Sequence, residues 1–308
     1  MAFDATNATA TYEADGLRLT IVALAPDLAP YTSGCYRTEV SAETLAEDWL
    51  PPEGANLRTG HAEVYEAAIG DDTLCNVPAA VLSGPTNRGT HLRIRNGTFW
   101  GIGLTPAGWA RIIRQPASSF ANRFTDLRTL DHLSRIDALL TSLREDGGDL
   151  KRCAERINTC LRDLLGPPLP AEDTIRALHL GLLSEDTTAV APMAELAGMN
   201  LRTFERFCKR HFGFPASALI KKQRFLRSLG KYMLDPTMRW IHALDTHYWD
   251  HAHFIRDFRA TMNMTPSDYA ARPHPIVKAA VAVTKALAGV PHQALHRPGP
   301  VDGRESGV

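Results

Sequence analysis

Gly166-Pro167-Pro168-Leu169-Pro170 is a stretch that neither a helix nor a central strand can cross. Its three prolines each fix φ and remove a backbone donor, and the glycine ahead of them loosens the chain where it must turn. The 308 residues are therefore divided into two units, each long enough to bury a core of its own. The two sides are patterned differently. Before the break, apolar residues alternate over short runs; after it, they recur at helical spacing throughout.

Residues 1 to about 125 read as β-rich. Leu17-Arg18-Leu19-Thr20-Ile21 alternates as a half-buried strand does, and so does His91-Leu92-Arg93-Ile94-Arg95. Asn96-Gly97 follows and leads into Phe99-Trp100-Gly101-Ile102-Gly103-Leu104, the pattern expected of a tight hairpin. A two-residue loop, however, sets Trp100 and Ile102 opposite Arg93, so either both faces of the strand are covered or a bulge intervenes. Pro51-Pro52, Pro78 and Pro85 punctuate the region at strand-length intervals, which suits a small barrel or a curled sheet. Pro106 then opens a short helix over 107–114, with Trp109, Ile112 and Ile113 on one side. Leu133, Ile136, Leu139, Leu140 and Leu143 keep a 3.6-residue period, Gly147-Gly148 interrupts it, and Cys153, Ile157, Cys160, Leu161 and Leu164 resume it.

From 171 onward every segment reads as helix: 171–183, 192–198, 200–212 closed by Gly213, 216–234, 240–245, 250–262, one starting at Pro266, and 276–287. Two units share a layout of short helix, turn and longer basic helix: 192–212 and 240–262. In the second, Phe254, Phe258 and Met262 form one apolar stripe, Asp250 stands where an N-cap belongs, and Arg256 and Arg259 lie off the stripe. The connecting helix, at about 1.5 Å per residue, is roughly 28 Å long. Successive major grooves on one face of DNA lie about 34 Å apart. With helix widths added, such a connector sets two recognition helices in adjacent grooves.

These residues resemble the AraC/XylS transcriptional regulators. The likeness runs through MAELAGMNLRTFERFCKRHFGFPASALIKKQRFLRSL and HYWDHAHFIRDFRATMNMTPSDY, about the last third of the chain. Residues 45–130, through VLSGPTN and WGIGLTPAGWARIIRQPASSFANRFTDLRTL, are similar to the small β domain of one branch of that family. Three positions depart from the family pattern. His247-Tyr248 replaces the usual Gly-Phe in the second turn, Cys208 replaces an aromatic beside Phe207, and Leu201 stands where a small or polar residue is commoner.

Helical geometry turns Phe204 and Cys208 inward in the first unit and leaves Arg202, Glu205, Arg206 and Lys209 outward. The resemblance places groove contacts at Arg202, Glu205 and Arg206, and Thr203 and Arg210 complete the candidate face. Arginine reads guanine through O6 and N7, and glutamate accepts from the cytosine amino group. In the second unit the candidates are His251, Ala252, Ile255, Arg256 and Arg259, with Ala252 and Ile255 suited to thymine methyls. Lys209, Arg210 and Arg259, nearer the helix ends, suit phosphates. The bland counterpart for each charge is a solvated face, or a surface pair such as Asp257 with Arg256.

Composition narrows the remaining classes. Lys and Arg outnumber Asp and Glu by 13 to 9 over 181–275 while the whole chain is neutral, so a basic module is joined to an acidic one. Five cysteines without a CxxC point to neither a disulfide framework nor a zinc knuckle. His247, His251 and His253 do not share a helical face, and His61 and His91 lack a paired H-x-H, so no metal is expected. Cys153 and Cys160, two turns apart, are expected in a core. No nucleotide loop, nucleophile set or apolar membrane span is present, and no cofactor is expected; the cytoplasm is the expected compartment.

The expected fold is α+β. Residues 1–130 make a barrel-like, cupin-like sensor or oligomerisation domain, 131–170 a helical linker region, 171–275 an AraC-type DNA-binding domain with two helix-turn-helix units, and 276–308 a short helix and disordered tail. The expected function is sequence-specific transcription regulation and not catalysis. Expected partners are double-stranded operator or promoter DNA, a small-molecule effector, a second protomer through the N-terminal region, and RNA polymerase for an activator; no membrane is expected. The rival readings are a small-barrel enzyme with a helical accessory domain and a protein-interaction module.

Overall fold

Strand β8 (Thr90–Leu104) is hydrogen-bonded along both sides, to β4 (Thr32–Leu50) and to β5 (Ala55–Ile69), and these three long strands form the middle of the sheet. The computed structural model describes residues 3–4, 9–145, 149–235 and 239–288. Shorter strands extend the sheet: β1 (Phe3–Asp4), β2 (Thr9–Ala14) and β3 (Leu17–Val22) beyond β4, then β6 (Cys75–Asn76), β7 (Ala80–Ser83) and β9 (Phe124–Asp126) beyond β5. All nine strands among the described residues are antiparallel, in the order β1-β2-β3-β4-β8-β5-β7-β9, with β6 on β5. No pairing of β1 with β9 closes a barrel among the described residues, so the curled-sheet form of the expectation is the one observed.

The expected Asn96-Gly97 hairpin is not formed. Both residues lie within β8, Gly97 pairing with Val40 on one side and Ala62 on the other. Asn96 takes φ +47°, and β4 inserts extra residues between Val40 and Leu45 to stay in register. The turn preference loses because neighbours on both edges supply ladder bonds that a hairpin would forfeit. The irregularity shifts the alternation by one: Ile94 and Phe99 reach the same core, while Trp100, Ile102 and Leu104 reach the opposite one. Both faces of β8 are covered, which removes the conflict with Arg93.

On one face, α1 (Pro106–Gly108) with the wide turn Trp109–Ile113, α2 (Ser134–Glu145) and α3 (Leu150–Leu165) pack Trp109, Ile136, Leu140 and Ile157 against Leu57, Trp100 and Ile102. Cys153 is buried in that core and Cys160 is half-buried against it. The expected Gly147-Gly148 interruption, Pro236 and the tail beyond 288 lie outside the described residues.

Beyond the proline-rich stretch the chain is helical: α4 (Glu172–Leu183), α5 (Val190–Leu196), α6 (Leu201–Phe212), α7 (Ala216–Leu234), α8 (Trp240–Ala243), α9 (His251–Met262), α10 (Pro266–Ala270) and α11 (Pro275–Ala288). Helix α7 serves two cores in succession. Its first half gives Ala216, Leu219 and Ile220 to a cluster with Phe204, Cys208 and Phe212; its second half gives Phe225, Leu229 and Tyr232 to a cluster with Phe254, Phe258 and Tyr269.

Helix α11 returns to the first half of the chain. Its Ala279 and Val283 pack with Leu17, Leu19, Ile94 and Phe99 on the second face of the sheet. Asp48 of β4, fully buried, accepts from Ile276 N (2.8 Å), Val277 N (2.9 Å) and His274 Nδ1 (3.0 Å). A carboxylate from one half of the chain thus caps the N-terminus of a helix in the other, where free amides and the helix dipole favour negative charge.

Candidate nucleic-acid interface

Each of the two longer basic helices is started and stopped by identifiable residues. Asn200 Oδ1 accepts from Thr203 N (3.0 Å) at the head of α6, and Gly213 closes it at φ +88°. Asp250 Oδ1 accepts from His253 N (2.6 Å) at the head of α9, and Asn263 closes it at φ +57°. Phe204, Cys208, Phe254 and Phe258 are buried as their spacing requires. That leaves Arg202, Thr203, Arg206, Lys209 and Arg210 exposed on α6, and His251, Ala252, Arg256 and Arg259 exposed on α9, with Ile255 half-buried. The α6 set forms one face and the α9 set another, and α7 carries both.

Glu205 is placed differently from the other candidates. It is half-buried, and its Oε2 accepts from Ala216 N (3.3 Å), the first amide of α7. Through that one oxygen the carboxylate ties α6 to the connecting helix. The surface pair of Asp257 with Arg256, the bland alternative for that arginine, is not formed. Asp257 is buried and holds Lys221 (2.9 Å) and Arg224 (2.8 Å) of α7, so it fastens the second unit to the connector and leaves Arg256 to solvent.

The turn before α9 closes without glycine. Neither His247 nor Tyr248 has positive φ. Instead His247 donates its backbone N–H to Asp245 Oδ1 (3.0 Å), with its ring Nδ1 2.8 Å from the same oxygen. Tyr248 is buried against Phe254, with the Arg224 guanidinium 4.5 Å above its ring. Burial pushes the Asp245 carboxyl up, but bonds from Arg227 (2.5 Å) and His247 outweigh it and hold the group below the usual carboxylate range. Cys208 fills its core position with Phe207 half-buried beside it, and Leu201 is exposed.

The sheet region touches this helical unit at several points that have no local sequence signal. Lys222 of α7 is buried and donates to Glu53 O (2.5 Å) and Thr86 O (2.7 Å). Arg88 donates to Ala260 O, and Gly89 N to Thr261 O (2.7 Å), at the last turn of α9. Arg111 joins Glu172 (2.5 Å) and also reaches Leu165 O and Gly166 O, so it pins the proline-rich stretch from the sheet side. These contacts involve residues far apart in the chain, and no periodicity or motif marks them.

Between the sheet, α7 and α11 lies a cavity of about 220 Å³. Leu19 and Phe99 line it from the sheet, Leu226 and Met233 from α7, and Ile276 and Val281 from α11. At its polar end Arg58 donates to Tyr36 Oη (2.8 Å) and to Glu53 Oε1 (2.6 Å), so its charge is already paired. His91 sits 2.8 Å from Glu47 and stacks on Trp49; Glu63 and Glu66 pair across the sheet with Arg95 and Arg93. Among the described residues no group of three or more His, Cys, Asp or Glu side chains is arranged to hold a metal ion. No described helix is long and apolar enough to cross a membrane.

A model of the helix-turn-helix domain family matches residues 193–272, the span from α5 through α10. No curated protein matches the chain. Among solved structures, ToxT from Vibrio cholerae O395 is similar over 74% of this chain and 97% of its own, at 12% identity and TM-score 0.40. An unsaturated-fatty-acid-bound ToxT from Vibrio cholerae strain SCE256 is similar over 77% and 93%, at 13% identity and TM-score 0.41. The AraC-like transcriptional activator CuxR is similar over 71% and 86%, at 14% identity and TM-score 0.28.

Proposed function

We propose that this chain, whose residues 193–272 carry an AraC-type helix-turn-helix domain, is a sequence-specific DNA-binding transcription regulator governed by its N-terminal region. The observation that carries the reading is the pair of capped helices, α6 and α9, on one connector, each with its aromatic side buried and its cationic side bare. On this reading Arg202, Arg206 and Arg256 reach base edges, Ala252 and Ile255 meet thymine methyls, and Lys209, Arg210 and Arg259 hold phosphates. Thr203 and His251 complete the two faces. Glu205 contributes by fixing the angle between α6 and α7.

Regulation follows from α7. The helix that sets the spacing of the two readers also forms one wall of the cavity, through Leu226 and Met233. A small, mostly apolar effector in that space bears on α7 directly. It changes DNA affinity to the extent that it binds the DNA-competent arrangement better or worse than the free one. Residues 171–275 act as the reading unit and residues 1–130 as the sensing one, with a second protomer recruited through the sheet region to a paired operator.

The test is binding of the full chain to a pool of random 30-base-pair duplexes as salt is varied, followed by selection of preferred sequences from that pool. The expected result is affinity that falls steeply with salt, together with enrichment of a defined site. Absence of binding at low salt overturns the proposal, and binding without any enriched site removes its sequence-specific part.

A further inference from the structure

Of all the large apolar side chains that the described residues leave exposed, Trp249 is the extreme, at 93%. It immediately precedes Asp250, the N-cap of α9. Leu201, 55% exposed, immediately follows Asn200, the N-cap of α6. Each reader therefore presents a bare apolar side chain at the entrance of its recognition helix, beside its cationic face.

The backbone that carries Trp249 is fixed on both sides. Tyr248 before it is buried on Phe254 and beneath Arg224. Asp250 after it is turned back onto His253 N, so its charge is spent on the helix terminus. An indole held by such a turn loses little backbone freedom when it makes a contact, so most of the contact energy is kept. The residue ahead of the N-cap lies outside the helix, toward the edge of any groove that α9 enters, where sugar and phosphate run. Indole has one N–H donor and no acceptor, which matches a phosphate oxygen, and an apolar face, which matches deoxyribose.

We infer that Trp249 is a DNA-backbone contact of the second reader: its ring packs on a deoxyribose and its Nε1–H donates to the adjoining phosphate at the groove edge. The inference rests on the DNA-binding reading above. Because Trp249 is uncharged, it adds affinity and fixes register without adding to the salt dependence.

The experiment uses the full chain. Trp100 and Trp109 are buried and Trp49 and Trp240 half-buried, so acrylamide quenching of tryptophan emission reports mainly on Trp249. Saturating random duplex is expected to shield that emission, and the shielding is expected to vanish in Trp249→Phe. Trp249→Ala is expected to weaken binding about tenfold on selected and random duplex alike, with an unchanged salt slope; Trp249→Phe, which keeps the ring and loses the donor, is expected to weaken it roughly threefold. If wild-type protein binds DNA and Arg206→Ala weakens it, yet quenching and affinity ignore Trp249, this inference fails alone. Shielding that appears with protein concentration and no DNA assigns the ring to a protein contact and likewise overturns it. If wild-type protein does not bind duplex at low salt, both readings fail together.

Discussion

On the proposed reading, arginines of the two basic helices carry charge of the same kind to different ends. Arg206 stands mid-helix on the exposed side of α6, whereas Arg259 stands in the last turn of α9. Arg206→Ala is expected to cost about 1–3 kcal/mol on a selected site and much less on random duplex, as read by fluorescence anisotropy at fixed salt. Arg259→Ala is expected to weaken both alike and to lower the salt slope by about one. Equal losses for both variants on both DNAs would refute the division of labour. Glu205 belongs to a third kind. Since its carboxylate accepts from Ala216 N, Glu205→Ala is expected to lower the urea midpoint by the equivalent of about 1 kcal/mol, as loss of a helix cap does. It is expected to leave the preferred sequence unchanged; a changed preference at one base pair would restore Glu205 as a reader.

Helices were legible in the sequence where their signals are local. Asn200, Gly213 and Asp250 act within four residues of themselves, so the bounds of α6 and α9 follow from the sequence around them, and Pro266 marks the start of α10. Strand β8 shows the opposite case. Asn96-Gly97 carries a strong local preference for a hairpin, but β4 and β5 pair with it from either side and keep it extended. What the pair supplies instead is space. A Cβ on Gly97 would stand 2.4 Å from the Ala62 Cβ and 2.7 Å from His61 O. Gly97→Ala is therefore expected to destabilise the protein by about 1–3 kcal/mol in urea unfolding, because backbone must move to admit it. A hairpin turn would tolerate alanine less through φ than through space, and a neutral result would exclude the close packing described. The partners of Asp257, Glu205 and Lys222 were illegible because they depend on which elements meet, and periodicity within an element carries no such information.

At the scale of the molecule, Lys222 is where the sheet region grips the connector of the readers. Burial pushes its amine down to about 7, partly opposed by the charge of Glu53. A neutral amine has two N–H donors, matching the two carbonyls before it, Glu53 O and Thr86 O. An unfolded lysine titrates near 10.4. Between about 7 and about 10 the unfolded chain thus binds one proton more than the folded one, and stability from this group rises with pH by roughly 1.4 kcal/mol per unit. Below about 7 both states are protonated and the slope from Lys222 disappears. Urea midpoints of wild type and Lys222→Met, compared from pH 6 to 9.5, are expected to diverge above pH 7; parallel profiles would show that the amine stays charged.

Helix α11 also sets an order in time. Leu17, Leu19, Ile94 and Phe99 are covered by Ala279 and Val283, which a ribosome reaches only after the whole reading domain has been made. At about 5–20 residues per second, the trough in the sheet stays open for on the order of ten seconds after Phe99 is synthesised. The sheet half of this protein is thus born before it can close, and a helix translated after the whole helix-turn-helix region is the one that completes it.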